Sequence, residues 1–241
     1  MVLFESLVAA HVATGATGLV SLWAPVVTKK GSLRHQFWGR VFVFAMIATG
    51  AIAVGISLCS LFYPLETHTF SDDVPMIRGL FGWLMLYLGV LTVALAWHSY
   101  VAARHKMNRA AYGTRTNLAL QLAMGAAAAN CAVQGLLISQ YLMVGIAVPG
   151  LVAATLNSIY IMQENPPPRE WLVQHFRSGI GAGISVYTAF FAFGAVNTIP
   201  ALAFNPILWA LPTVLGVSYM LKHQLQVRPL RRRSLSGEKS A

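Results

Sequence analysis

The sequence predicts an all-α, polytopic transmembrane bundle of seven spans, with the N-terminus outside and the C-terminus in the cytoplasm. Three observations carry this. Only 10% of the 241 residues are charged while 56% are hydrophobic, against roughly 25% charged in soluble domains. The apolar residues fall into seven runs, most of them near the ~20 residues needed to cross a bilayer. The basic residues between the runs alternate in a way that only one count and one orientation explain.

The first run, Val2 to Val27, ends at a basic turn containing Lys29, Lys30 and Arg34. The second, Phe37 to Tyr63, stops at Pro64 and a polar loop holding Glu66, His68, Asp72 and Asp73. The third spans Ile77 to Ala102 and leads into a basic connection to Thr116. The fourth and fifth, Asn117 to Ile138 and Tyr141 to Met162, read as a tight hairpin about Ser139 and Gln140. The break at Asn165 through Pro168 ends the fifth. The sixth runs from Trp171 to Val196, and the seventh starts at Pro206 and ends near Leu221. None alternates like a barrel strand, and lipid leaves helices as the way to satisfy the backbone.

With the N-terminus outside, every Lys and Arg except Arg78 falls on the cytoplasmic side, while Glu5, Glu66, Asp72 and Asp73 fall outside. A wrong span count would scramble that partition. The net charge of +10 is therefore orientation charge in a plasma (inner) membrane protein, with no nucleic-acid partner expected. The seven-helix domain covers residues 1–225. The tail at 226–241 is basic and expected to be disordered, with Arg231, Arg232 and Arg233 placed to meet anionic lipid. The chain opens without the positive charge of a signal peptide, so the first run is expected to be retained.

No phosphate loop, nucleophile elbow or zinc motif is present, and the interiors of the runs lack Asp and Glu. This speaks against hydrolases, ATPases and ion-coupled pumps. Cys59 and Cys131 lie in apolar runs as small buried residues. The histidines are the candidate ligands. His98 and His175 sit about one turn inside the same membrane face on oppositely directed spans, and so could flank a haem b iron. His35 lies at that face too, and Arg40 and Arg177 could pair with propionates. Ser178, Gly179, Ala182, Ser185 and Ala189 form a small-residue face below His175 that would admit a flat macrocycle or another helix. His11, on a face with Thr14, Gly15 and Gly18, requires a polar partner; Asn130, Gln134 and Asn157 are candidates. Glu66, His68, Asp72 and Asp73 match no metal spacing and read as a solvated loop.

The run His11-Val-Ala-Thr-Gly15 with Gly18, the segment His35-Gln36-Phe37-Trp38-Gly39-Arg40, and His175-Phe176-Arg177 through Phe193-Gly194-Ala195 resemble a family of bacterial predicted membrane proteins known as domain of unknown function 2306. That family carries His-Arg where this chain has His35-Gln36. The resemblance implies a helical membrane protein and no particular activity. Two readings follow. One is a b-type haem or quinone-linked redox membrane protein. The other is a non-enzymatic transporter, a sensor, or an accessory subunit within a membrane complex or homo-oligomer.

Overall fold

The computed structural model describes residues 2–194 and 206–235, all helix and connection with no strand among them. The first run is α1 (Val2–Ser21) continued by α2 (Trp23–Val27). The second is α3 (Leu33–Phe62), capped by Ser32, whose hydroxyl accepts from the His35 amide. The cap starts this helix earlier than the apolar run does, so His35 lies in its first turn and not in a loop. Two short turns, α4 (Pro64–Thr67) and α5 (Val74–Ile77), lead through a π-helical segment, Arg78–Leu84, into α6 (Met85–His105). A short α7 (Arg109–Tyr112) precedes the hairpin of α8 (Arg115–Leu137) and α9 (Tyr141–Met162). Then come α10 (Glu170–Ala189), which widens into a π turn to Gly194, and α11 (Pro206–Leu235).

Five of these stretches are long and apolar enough to cross a membrane: Val2–Val27, Leu33–Phe62, Val74–His105, Arg115–Leu137 and Tyr141–Met162. α10 is not among them, since it opens with Glu170, Gln174, His175 and Arg177; nor is α11, whose second half is basic. The tail expected to be disordered from residue 226 is helical as far as Leu235, and α11 runs well past Leu221. Residues 236–241, and the end of the sixth run at Val196, lie outside the described residues.

α6 is the axis of the bundle. α3, α8 and α10 pack on it, α1 packs on α3, α9 on α8 and α11 on α10. Neighbouring long helices run antiparallel. The starts of α3, α8 and α10 therefore meet the ends of α6, α9 and α11 at one basic end, as the contacts His35–His175, His98–Asn117, Arg109–Tyr160 and Phe176–His223 show. Small residues set the spacing. Gly50 on α3 faces Gly89 on α6 so closely that a Cβ on either would lie 2.7–2.8 Å from the other's carbonyl oxygen. The face of α10 below His175 is a helix contact: a Cβ on Gly179 would come 3.0 Å from Ser99 Oγ, and Ser185 Oγ is 2.8 Å from Thr92 Oγ1. Such close approach is what drives helix association where lipid is as apolar as the core. Pro149 interrupts the bonding of α9. The buried Tyr87 hydroxyl donates to the Ile146 carbonyl at 3.0 Å, so the phenol is not left unpaired in an apolar interior.

At the opposite end His68 is no solvated ligand. It is buried against Phe4, Phe70 and Phe81, with ring centroids 5.8, 5.7 and 4.2 Å away, while Asp73 caps α5 by accepting from the Met76 amide. Burial holds the His68 imidazole below its ordinary value. The unfolded chain therefore takes up the proton first, and stability is lost as pH falls through the ordinary histidine value of about 6.5. Thermal midpoints from pH 8 to pH 5 are expected to fall for the wild type and to fall less for His68→Phe. Parallel curves for the two proteins would place the acid sensitivity elsewhere.

Candidate functional site

Two polar clusters lie at the basic end, on either side of the contact between α6 and α10. The first is sealed. His98 is fully buried, with Nδ1 3.3 Å from Asn117 Oδ1 and Nε2 2.8 Å from the Tyr112 hydroxyl. Each ring nitrogen faces an amide oxygen, Nδ1 that of Asn117 and Nε2 that of Gln174 at 3.4 Å, and the Tyr112 hydroxyl stands within reach of both, so both nitrogens are occupied whichever carries the proton. Burial pushes the Tyr112 phenol far above its ordinary value, so it remains a donor. Asn117 Nδ2 donates to the Tyr112 carbonyl at 3.3 Å, which closes the loop between α7 and α8.

From there the network runs across the bundle. Arg177 donates to Gln174 Oε1 at 2.9 Å and to Asn157 Oδ1 at 3.1 Å. Asn157 Nδ2 donates to Gln121 Oε1 at 2.9 Å, and Gln174 Nε2 to Glu170 Oε1 at 2.9 Å. Arg109 ends α9 by donating to the carbonyls of Tyr160, Ile161 and Gln163 at 2.7–3.0 Å, with its guanidinium over the Tyr112 and Tyr160 rings. This arrangement ties five helices together through groups that would otherwise be stranded in an apolar interior.

The second cluster is formed by His35 and His175. The His35 Nδ1 lies 3.1 Å from the Pro25 carbonyl, and the His175 Nδ1 lies 3.0 Å from the Ser99 carbonyl. A carbonyl only accepts, so both Nδ1 atoms carry the proton and both Nε2 atoms carry a lone pair. Neither Nε2 has a hydrogen-bond partner among the described residues. The ring centroids are 6.4 Å apart and the planes are 76° to one another. Ser99 Oγ also donates to the His175 carbonyl at 2.8 Å, fixing the first turns of α10 against α6. Lys30, whose ammonium donates to the Pro25 and Val26 carbonyls at 2.7 Å, is near enough to act on both rings electrostatically. Burial lowers its own affinity for the proton.

The residues expected from sequence thus separate. α6 and α10 are neighbours, and His98 and His175 are at one depth, but each ring engages the other's neighbour: His98 Nε2 lies 3.4 Å from Gln174 Oε1 and His175 Nδ1 3.1 Å from Ser99 Oγ. Both His98 nitrogens are occupied, so His98 has no lone pair to offer a metal and does not fit an axial pair. Arg177 belongs to the sealed network. Arg40 is exposed, with Nε donating to the Gln36 carbonyl, and stands in a groove between α1 and α3. Neither arginine is hydrogen-bonded to His35 or His175 among the described residues. The partner of His11 is the Thr49 carbonyl at 3.1 Å on α3, not an amide of α8 or α9. No group of three or more His, Cys, Asp or Glu is placed to hold a metal ion among the described residues.

Sequence reasoning missed Tyr112, Asn117, Gln121 and Gln174. Each is a polar residue within a few positions of a helix end, where such residues are ordinary, and only their convergence marks them. Comparison with protein-family models, curated proteins and solved structures gives no match.

Proposed function

We propose that the chain is a seven-span inner-membrane protein, N-terminus outside, that holds a b-type haem through His35 and His175 and serves one-electron transfer in the membrane. The single observation behind this is the donor set. Two neutral imidazoles lie ring against ring, each with Nδ1 anchored on a backbone carbonyl and Nε2 free as a lone pair. A backbone acceptor on the distal nitrogen fixes the tautomer and orientation that metal-bound histidines use. His35 and His175, whose ring centroids are 6.4 Å apart, would be the residues that hold the iron. Gly39, one turn beyond His35, has no atom within 4 Å of where a Cβ would stand, and Gly31 is equally open. Lys30 supplies positive charge beside the pair. The haem would contribute the redox change, while His35 and His175 orient it and Lys30 balances its carboxylates.

The orientation rests on the segregation of Lys and Arg to the end where these histidines lie, and on the antiparallel order that brings α10 and α11 into it. The segments by which the sequence resembles domain of unknown function 2306 include both His35 and His175, though no family model matches the chain.

The test is the visible spectrum of the protein purified in mild detergent from haem-sufficient cells. A Soret band with split visible bands on reduction is expected. It should be lost in His35→Ala and in His175→Ala and kept in His98→Gln. A colourless wild type, or bands that survive both alanine variants, would sink the haem reading and leave a non-enzymatic membrane protein. For the topology, a cysteine introduced at Ser71 should react with an impermeant reagent from outside and one at Asn108 should not; the reverse would invert the orientation.

A further inference from the structure

An open groove of about 590 Å³ runs between α1 and α3 on the outer face of the bundle. Its walls are apolar. Phe37, Val41, Phe44 and Ala45 come from α3, and Thr14 and Thr17 from α1. The two threonine hydroxyls donate to the carbonyls of Ala10 and Ala13 on their own helix, both at 2.9 Å, which leaves their methyl groups to the groove. One charged group lines it, Arg40, and it stands near the basic end. The Arg40 Nε donates to the Gln36 carbonyl at 3.3 Å, and the guanidinium has no acidic partner among the described residues. A permanent cation at headgroup depth, above an apolar channel running toward the middle of the bundle, has the shape of an amphiphile with an anionic head.

We propose that this groove binds an anionic phospholipid, with the phosphate on Arg40 and one acyl chain lying between α1 and α3 over Val41 and Phe44. Charge complementarity selects the occupant. Lys29, Lys30 and Arg34 share the end of the bundle with Arg40, so the local field favours an anionic over a zwitterionic head, and basic pockets between spanning helices are where such heads are held. Arg40 lies five residues from His35, about 140° around α3. The groove therefore opens on a different face from the histidine pair, and the two proposals fail separately.

The full chain in mild detergent, offered equal amounts of phosphatidylglycerol and phosphatidylcholine with identical acyl chains, would be examined by native mass spectrometry. The wild type should retain one phosphatidylglycerol per chain with about a fivefold preference, the scale of a single basic side chain at an anionic surface. Arg40→Gln should abolish the preference without altering the melting temperature, because Arg40 is exposed. Arg115→Gln, an exposed basic residue at the same end of the bundle but on α8, should keep it. Ala45→Trp, which fills the groove without changing charge, should lose the bound lipid. Equal retention of both lipids by the wild type, persistence of the preference in Arg40→Gln, or an equal loss in Arg115→Gln would each overturn the proposal. Displacement of the lipid by inorganic phosphate alone would make this a phosphate site and overturn it as well.

Discussion

Replacing Gly50 with alanine should cost about 2–3 kcal/mol of stability, and replacing it with leucine should abolish folding. A methyl group at Gly50 would stand 2.7 Å from the Gly89 carbonyl oxygen, 2.8 Å from Val93 Cγ2 and 3.2 Å from the Val93 amide nitrogen. Two of the three obstacles are backbone of the central helix, so relief requires α3 and α6 to separate along their length. The better helix propensity of alanine, about 1 kcal/mol, is smaller than that overlap. Gly89→Ala meets the same crossing from the other side, where its Cβ would lie 2.8 Å from the Gly50 carbonyl oxygen, and should cost as much. Gly39→Ala on the same helix is the control. Nothing lies within 4 Å of its Cβ position, so propensity alone should act and the change should be neutral or slightly stabilising. Unfolding of the three variants in mixed detergent micelles measures this directly. A Gly50→Ala protein as stable as Gly39→Ala would mean that α3 and α6 do not cross at these glycines.

The second large effect belongs to Asn157, which bridges Gln121 and Arg177. Each hydrogen bond inside a membrane protein contributes about 0.6 kcal/mol on average, but a buried donor or acceptor left without a partner costs about 1–3 kcal/mol. Asn157→Ala strands two such groups, the Gln121 amide oxygen and an Arg177 N–H, so the orphan cost dominates and a loss of about 2–4 kcal/mol is expected. The same accounting predicts non-additivity. With Gln121 already changed to leucine, Asn157→Ala strands one group fewer, so the double variant should be more stable than the sum of the single losses requires, by about 1–2 kcal/mol. Strict additivity would show that Asn157 and Gln121 do not share a network.

The helical reading was legible because it rests on local quantities. Apolar runs of membrane-crossing length, the proline and asparagine breaks between them and the rarity of charge can be counted along the chain without knowing what packs on what. The boundaries of α9, Tyr141 to Met162, were readable to the residue, because a two-residue turn and a proline cluster bracket it. The start of α3 was not: Ser32 caps the helix ahead of the apolar run and draws Leu33, Arg34 and His35 into its first turn. The basic stretch after Leu221 reads as polar tail by composition, yet the helix continues to Leu235, since composition does not report where a helix already under way will stop.

The candidate site divides in the same way. Sequence by itself determined that His35, His98, His175 and Arg177 would lie near one end, because depth follows from position along a span. It also determined that few carboxylates would accompany them. Only the tertiary structure decided which groups meet. His98 turns toward Tyr112 and Asn117, His175 turns toward Ser99 and His35, and Arg40 turns away into the groove with α1. Those directions depend on the rotation of each helix about its own axis and on which helices are neighbours. Both are set where α3, α6 and α10 touch through Gly50, Gly89 and Gly179. A glycine in the chain says that a close approach is permitted; the partner that makes the approach comes from another helix, and its identity is a property of the packed bundle.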